Sequence, residues 1–306
     1  MKKRIITGLL IFLALAGFVA LRFVHLLFFD ALVLAISCAA GWEMICAYKL
    51  ADRKSYNAIV FLFPFVIWFC YFFAKDGKTA IVYQFLAMLI VFVLCFVIEL
   101  LSYKNKNKKN VVEPSSQDLV DNKYLICETF TTLKICFYPL LLVGTLFGIN
   151  HLGLEMGLIG ILLAIAVATF SDMFAFFFGV AFGQGKNCKK LCPHISPKKS
   201  VVGFVFGSIG GVLASALVLL FFYFFPIMQS PITALKTGVA VALFVVIGCI
   251  GTLVSQFGDL FSSAFKRRVG IKDFGSFFPG HGGFMDRVDS LMFTSTLVYL
   301  CMLCII

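Results

Sequence analysis

The sequence predicts an all-α polytopic integral membrane protein of about nine transmembrane helices, and three observations carry that reading. Hydrophobic residues make up 61% of the 306-residue chain and charged residues only 13%, with 38 phenylalanines and a mean hydropathy of +1.01. Runs of about 20 apolar residues, enough to span a hydrocarbon layer, recur along the chain rather than occurring once. Lys and Arg fall in alternate breaks between those runs, the pattern left when cations near span ends stay on the cytoplasmic side.

The spans are expected at residues 5–21, 26–46, 57–74, 79–100, 135–150, 154–182, 201–224, 237–257 and 290–306. The first follows Lys2, Lys3 and Arg4 and has the look of a cleaved signal. Another span comes at once with no polar domain between them, so it reads as an anchor. With the N terminus cytoplasmic, the inner segments hold all of the 26 Lys and Arg residues except Arg22, Lys75, Lys78 and Lys236. The formal net charge of +11 is thereby read as topology plus attraction to anionic lipid, with no nucleic-acid partner implied. A hydrophilic break from Ser102 to Tyr124, rich in lysine and asparagine, reads as a flexible linker lying against lipid headgroups. It divides the chain into an N-terminal four-span half, residues 1–124, and a C-terminal five-span half, residues 125–306. No repeat or inverted symmetry relates the halves, which argues against a transporter.

Several polar features have bland readings. Most of the eleven cysteines sit in apolar runs as small hydrophobes, and no disulfide framework is implied. Cys188, Cys192 and His194 lack a second ligand pair for zinc. Gly183-Gln184-Gly185-Lys186 lacks P-loop spacing. The acids Asp30, Glu43, Glu99 and Glu155 lie near span ends or pair across helices, and no function is placed on them.

Residues 255–289 are different in kind. Asp259, Asp273, Asp286 and Asp289 stand there among Lys266, Arg267, Arg268, Lys272 and Arg287, in a chain otherwise dominated by hydrocarbon. Ser255, Asp259, Ser262, Ser263 and Lys266 recur at three- and four-residue intervals and predict one stripe of a helix. Pro279, Gly280, Gly282 and Gly283 predict a loop around His281. A helix restarting at Phe284 places Asp286 and Asp289 on one face. Carboxylates facing cations across a glycine-rich turn suit a divalent metal and phosphate oxygens, because magnesium takes few protein carboxylates and completes its shell with phosphate and water. The competing reading is a solvated loop of paired charges, which has no need of His281 between glycines.

The order S-x-F-K-R, four residues, K-D-x-G, two residues, F-P-x-H-G-G-F-x-D-R-x-D, from Ser263 to Asp289, resembles the signature of the phosphatidate cytidylyltransferase family, also called CDP-diacylglycerol synthases. Every fixed position is filled, including Ser263, Lys266, Arg267, Lys272, His281, Gly282, Gly283, Asp286, Arg287 and Asp289. The upstream S-x-x-G-D, ending at Asp259, fits as well. The resemblance implies magnesium, as one or two ions, on Asp259 and Asp286 with Asp289 as a third ligand. It implies Lys266 and Arg267 offsetting phosphate charge, and a phosphate-binding turn of His281, Gly282 and Gly283, with Ser263, Lys272 and Arg287 as further substrate or phosphate contacts.

A second constellation lies near the end of the sixth span, where Asp172 sits in an apolar run and is a functional candidate by its depth. Ser196-Pro197-Lys198-Lys199-Ser200 follows, and the family carries a similar S-P-x-K-T segment. Ser200 in place of threonine, Val202 in place of Glu or Gln, and Phe176 and Val180 in place of Tyr and Arg depart from the pattern. Asp172, Lys198, Lys199 and Ser200 remain as nucleotide or phosphate contacts, against the alternative that the lysines only set topology.

The reaction implied is CTP plus phosphatidate giving CDP-diacylglycerol and pyrophosphate, at a site facing the cytoplasm from the cytoplasmic (inner) membrane, in a homodimer, with membrane lipid as substrate. Alternatives are another CTP-using membrane enzyme, such as a polyprenol kinase or an archaeol-type cytidylyltransferase, and a transporter.

Overall fold

The computed structural model describes residues 2–50, 54–74, 76–109, 141–183, 189–193, 195–224, 237–278 and 282–305. Among them the helices are α1 (Lys2–Leu21), α2 (Leu27–Ala47), α3 (Lys54–Phe73), α4 (Gly77–Lys109), α5 (Leu141–Asn150), α6 (Leu154–Phe182), α7 (Val201–Phe224), α8 (Thr237–Val269) and α9 (Met285–Ile305). A two-stranded hairpin of β1 (Lys190–Cys192) and β2 (Ser196–Ser200) precedes α7. Six helices, namely α2, α4, α6, α7, α8 and α9, contain segments long and apolar enough to cross a membrane. The shorter apolar stretches Ile6–Leu21, Asn57–Phe73 and Leu141–Asn150 belong to α1, α3 and α5. The protein is an all-α polytopic membrane protein. Its exposed apolar faces, such as Phe85, Leu89, Phe92 and Phe96 on α4, match a hydrocarbon solvent rather than water.

Two span boundaries differ from the sequence expectation, and a third element starts where it was expected, each in a way that matters for the site. α8 runs on past residue 257 to Val269, so Asp259 and Lys266 ride on a helix continuous with the span. α9 begins at Met285, one residue after the helix restart expected at Phe284, and carries Asp286 and Asp289 in its first turns. α4 continues to Lys109, so the start of the expected flexible linker is helical, and the remainder of that linker lies outside the described residues. The hairpin was not anticipated, because a strand as polar as Ser-Pro-Lys-Lys-Ser shows no alternation of apolar residues.

The bundle is tightest where α7 meets its neighbours. Gly203, Gly207, Gly210 and Gly211 are all buried on α7. A Cβ at Gly210 would stand 2.6 Å from the Phe174 ring of α6, and one at Gly211 would stand 2.8 Å from Thr252 Oγ1 of α8. Small residues let helix backbones approach where lipid supplies no hydrophobic drive. Beside this contact α6 carries Phe170, Phe174, Phe178 and Phe182 at four-residue spacing, and Phe206 of α7 stacks on Phe178 with ring centroids 4.3 Å apart and planes 5° from parallel.

The N-terminal helices are pinned to the C-terminal ones by a buried polar network at one end of the bundle. Arg22, 1% exposed, donates from Nε to Asn150 Oδ1 at 2.5 Å and from its other nitrogens to the carbonyls of Asn150, Gly153 and Leu154. Burial pulls its guanidinium down to about 10, which still leaves it charged at neutral pH. Asn150 Nδ2 donates to Asp30 Oδ1 at 2.8 Å, and Asp30 Oδ2 meets Trp68 Nε1 at 3.0 Å and His151 Nε2 at 2.9 Å. Asp30, expected either near a span end or paired across helices, is buried and paired across helices. These residues mark the close of α1, α3 and α5 and the start of α2 and α6. The opposite ends of α2 and α6 lead to the signature segment and the hairpin.

Candidate active site

At that opposite end, α8 supplies the central stripe. Ser255, Ser262 and Lys266 are buried along it, with Asp259 and Ser263 half-buried. α8 then stops in a Schellman motif: Gly270, at φ 79°, donates its N–H to the Arg267 carbonyl, and Ile271 N–H reaches back to the Lys266 carbonyl. This fixes the departure angle of the chain beyond Lys266. Arg267, on the exposed side, donates Nε to the Ile195 carbonyl of the hairpin turn at 3.3 Å and Nη1 to the Ile271 carbonyl at 3.2 Å. It therefore ties hairpin, helix and loop together.

The loop closes on itself where Phe278 N–H donates to the Gly282 carbonyl at 2.9 Å. Gly282 needs a positive φ of 84°, and the chain turns there into α9. His281, Pro279 and Gly280 lie outside the described residues. Asp286 organises this turn. Its Oδ2 accepts the N–H groups of Phe274 at 2.9 Å and Gly283 at 3.0 Å, and its Oδ1 takes Lys266 Nζ at 2.9 Å. Both partners of the ion pair are buried, at 8% and 9% exposure for Lys266 and Asp286. The Gly283 N–H, which the sequence suggested for a phosphate, is committed to Asp286.

The other acids gather beside Lys266. Asp289 Oδ2 lies 3.7 Å from Lys266 Nζ, while its Oδ1 accepts the Ser290 N–H at 2.9 Å. Asp172 Oδ2 accepts from Ser290 Oγ at 2.9 Å, linking α6 to α9. Asp172 is exposed on α6, with Met173 exposed next to it. Asp172, Asp259 and Asp289 stand near enough to repel one another. Lys199 Nζ meets Asp259 Oδ2 at 2.5 Å. The hairpin makes that contact possible, since strand alternation turns half-buried Lys199 inward and exposed Lys198 outward, while Ser200 Oγ caps α7 through the Gly203 N–H at 3.1 Å.

Sequence-predicted residues thus divide by position. Asp172, Asp259, Asp289, Lys199, Lys266 and Asp286 come together, drawn from α6, the hairpin, α8 and α9. Lys198, Arg267, Lys272 and Arg287 are exposed around them, and Ser263 is half-buried. The residue that sequence reasoning passed over is Glu43 of α2. Its Oε1 accepts the Phe284 N–H at 3.0 Å and its Oε2 the Met285 N–H at 2.9 Å, so it caps α9 from another helix. A half-buried carboxylate fits the positive end of a helix, but no local spacing could announce it.

Four carboxylates (Asp172, Asp259, Asp286, Asp289) against two ammoniums (Lys199, Lys266) leave a formal excess of negative charge, part of it buried at Asp286 and Asp289, which a divalent cation would offset. Among the described residues no three His, Cys, Asp or Glu side chains form a finished metal cage. Magnesium takes hard oxygen donors, few of them from protein, so carboxylates of this kind are the donor chemistry it would use. The surrounding cations suit a polyphosphate.

Residues 2–305 match the cytidylyltransferase family. The chain belongs to that family. Among its relatives, the phosphatidate cytidylyltransferase of Rickettsia conorii is 40% identical over 94 residues, which cover 31% of this chain and 40% of that protein. The phosphatidate cytidylyltransferase of Staphylococcus saprophyticus is 37% identical over 100 residues, 33% of this chain and 34% of the relative. Phosphatidate cytidylyltransferase 4, chloroplastic, of Arabidopsis thaliana is 53% identical over 55 residues, 18% and 14% of the two chains. The aligned stretches therefore span two fifths or less of these relatives' lengths.

Proposed function

We propose that the protein is a magnesium-dependent phosphatidate cytidylyltransferase, converting CTP and phosphatidate into CDP-diacylglycerol and pyrophosphate on the cytoplasmic face of the membrane. One observation carries the reading: Asp172, Asp259 and Asp289 converge with Lys199 and Lys266 at the ends of membrane helices, in a family member that bears the full signature from Ser263 to Asp289. The names of its relatives support the choice of substrates.

A phosphate oxygen of the lipid attacks the α-phosphorus of CTP, a new P–O bond forms, and the bond to the bridging oxygen of pyrophosphate breaks in line. Such transfer needs positioning and charge neutralisation rather than a covalent nucleophile. Asp259 and Asp289 would hold magnesium, with Asp172 adding negative charge nearby, and the ion when bound would neutralise triphosphate charge. Asp286 is already engaged with Lys266 and two backbone amides, so its part is to hold the turn and aim Lys266. Lys199, Lys266 and exposed Arg267 meet the phosphates. Because phosphatidate keeps its acyl chains in the bilayer, a site on helix ends lets it arrive laterally. The accessible side of Asp172 on α6 supplies such an approach.

The test is radiolabelled CTP with detergent-purified protein and defined phosphatidate, with and without magnesium, following cytidine label in the lipid phase. Lipid-soluble cytidine with pyrophosphate release is expected. Release of CDP with a phosphorylated lipid would identify a kinase instead, and no nucleotide turnover with any lipid would remove the enzyme reading.

A further inference from the structure

We infer that Glu43, from the N-terminal half of the chain, is a positioning residue for transfer: it clamps the turn at Gly283–Met285 so that Asp286 holds Lys266 in place beside Asp289. The inference rests on the reaction proposed above, but its geometry stands apart from the signature residues.

Glu43 lies late in α2, 241 and 242 residues away from the two amides it binds. Each carboxylate oxygen takes one backbone N–H, so the side chain works as a fork, and only a carboxylate presents two acceptors in that arrangement. Two glycines make room for it. A Cβ placed on Gly275 or on Gly283 would collide with the Glu43 carboxylate, so the signature loop folds around this side chain from both sides. Next along the turn, Asp286 takes the Gly283 N–H. Successive amides of Gly283, Phe284 and Met285 are therefore all committed to carboxylates. The first turn of α9 consequently offers those donors to protein acids, and phosphate charge must be met by the lysines and arginines around the site. Glu43 touches no reacting atom in this arrangement. It acts through the position of Asp286 and Lys266.

The experiment uses the full chain in detergent, with Glu43→Gln, Glu43→Asp and Glu43→Ala. Hydrogen exchange of the amides at Phe284 and Met285 is measured first, since it needs no turnover. Exchange about tenfold faster or more is expected in Glu43→Gln and Glu43→Ala, because a single charge-assisted bond is worth roughly that factor. Cytidylyl transfer, counted per folded molecule, should fall about tenfold or more in kcat/KM for Glu43→Gln. Glu43→Asp keeps two acceptors and should recover part of it. Gly275→Ala should impair the native protein yet add little in the Glu43→Ala background, because both changes break the same contact. Unchanged exchange would overturn the clamp. Loosened amides with native kcat/KM, or losses that only track the amount of folded protein, would overturn its role in transfer. If the native protein fails to label lipid, the proposed reaction falls, while the exchange result still decides the clamp. Should Glu43→Ala not fold, Glu43→Gln retains the side-chain volume and decides alone.

Discussion

Replacing Asp286 with asparagine tests the geometry of the turn most directly. The carboxylate makes three contacts: Lys266 Nζ on Oδ1, and the N–H groups of Phe274 and Gly283 on Oδ2. An asparagine carbonyl can keep both amide bonds, but its NH2 then faces the ammonium of Lys266 at a place built for 2.9 Å contact. Breaking a buried ion pair by removing one partner costs about 3–5 kcal/mol. Lys266 keeps Asp289 at 3.7 Å, so the loss here should be smaller, about 2–3 kcal/mol. For a chain of this size that corresponds to a fall of roughly 3–5 °C in the unfolding midpoint. The assay is thermal unfolding of Asp286→Asn, Lys266→Met and the double variant, with magnesium-dependent transfer measured on each. Because the double variant leaves no stranded charge from this pair, it should be less destabilised than the single losses add up to, by about 1 kcal/mol or more. Strictly additive losses, or a shift below about 1 °C in Asp286→Asn, would refute the account of Asp286 as the organiser of the turn.

Asp259→Asn should behave in the opposite way. Its pair with Lys199 is partly open, 28% exposed on each side, and such pairs are worth at most about 1 kcal/mol, so the midpoint should hardly move while magnesium-dependent turnover drops about 100-fold or more; a native rate in that variant removes Asp259 from the site. Gly282→Ala forces φ 84° on an alanine whose Cβ would stand 2.9 Å from Asp286 Oδ2, so about 1–2 kcal/mol of stability and most activity should be lost, read from the same melt and transfer assays. Asn150→Ala removes the bridge between Arg22 and Asp30 and should lower stability by about 1–3 kcal/mol while leaving kcat per folded molecule unchanged, since the network sits at the end of the bundle away from the site. A fall in kcat without loss of stability would contradict that separation.

The spans and the stripe on α8 were legible because their causes are local. Apolar runs of membrane length and polar residues at three- and four-residue intervals are properties of neighbouring positions, and they hold wherever the helix is packed. Asp286 and Asp289 were likewise placed on one helix by their spacing. Their different employment was not, because it depends on which acid lies over the amides of Phe274 and Gly283 and which lies toward Ser290 and Asp172. The hairpin escaped notice for a related reason: Lys199 reaches Asp259 only because β1 and β2 pair, and a short polar strand carries no periodic mark of that pairing.

By itself, then, the sequence determined that this chain lives in a bilayer and that charged residues gather in one short segment, since composition and adjacency need no partner to be read. Tertiary structure alone decided that Glu43 grips the start of α9, that Asp30 is buried beside Arg22's asparagine bridge, and that Lys199 faces the acids while Lys198 does not. The physical reason is that each of these contacts joins groups far apart in the chain, and a hydrogen bond is specified by where its two ends meet in space.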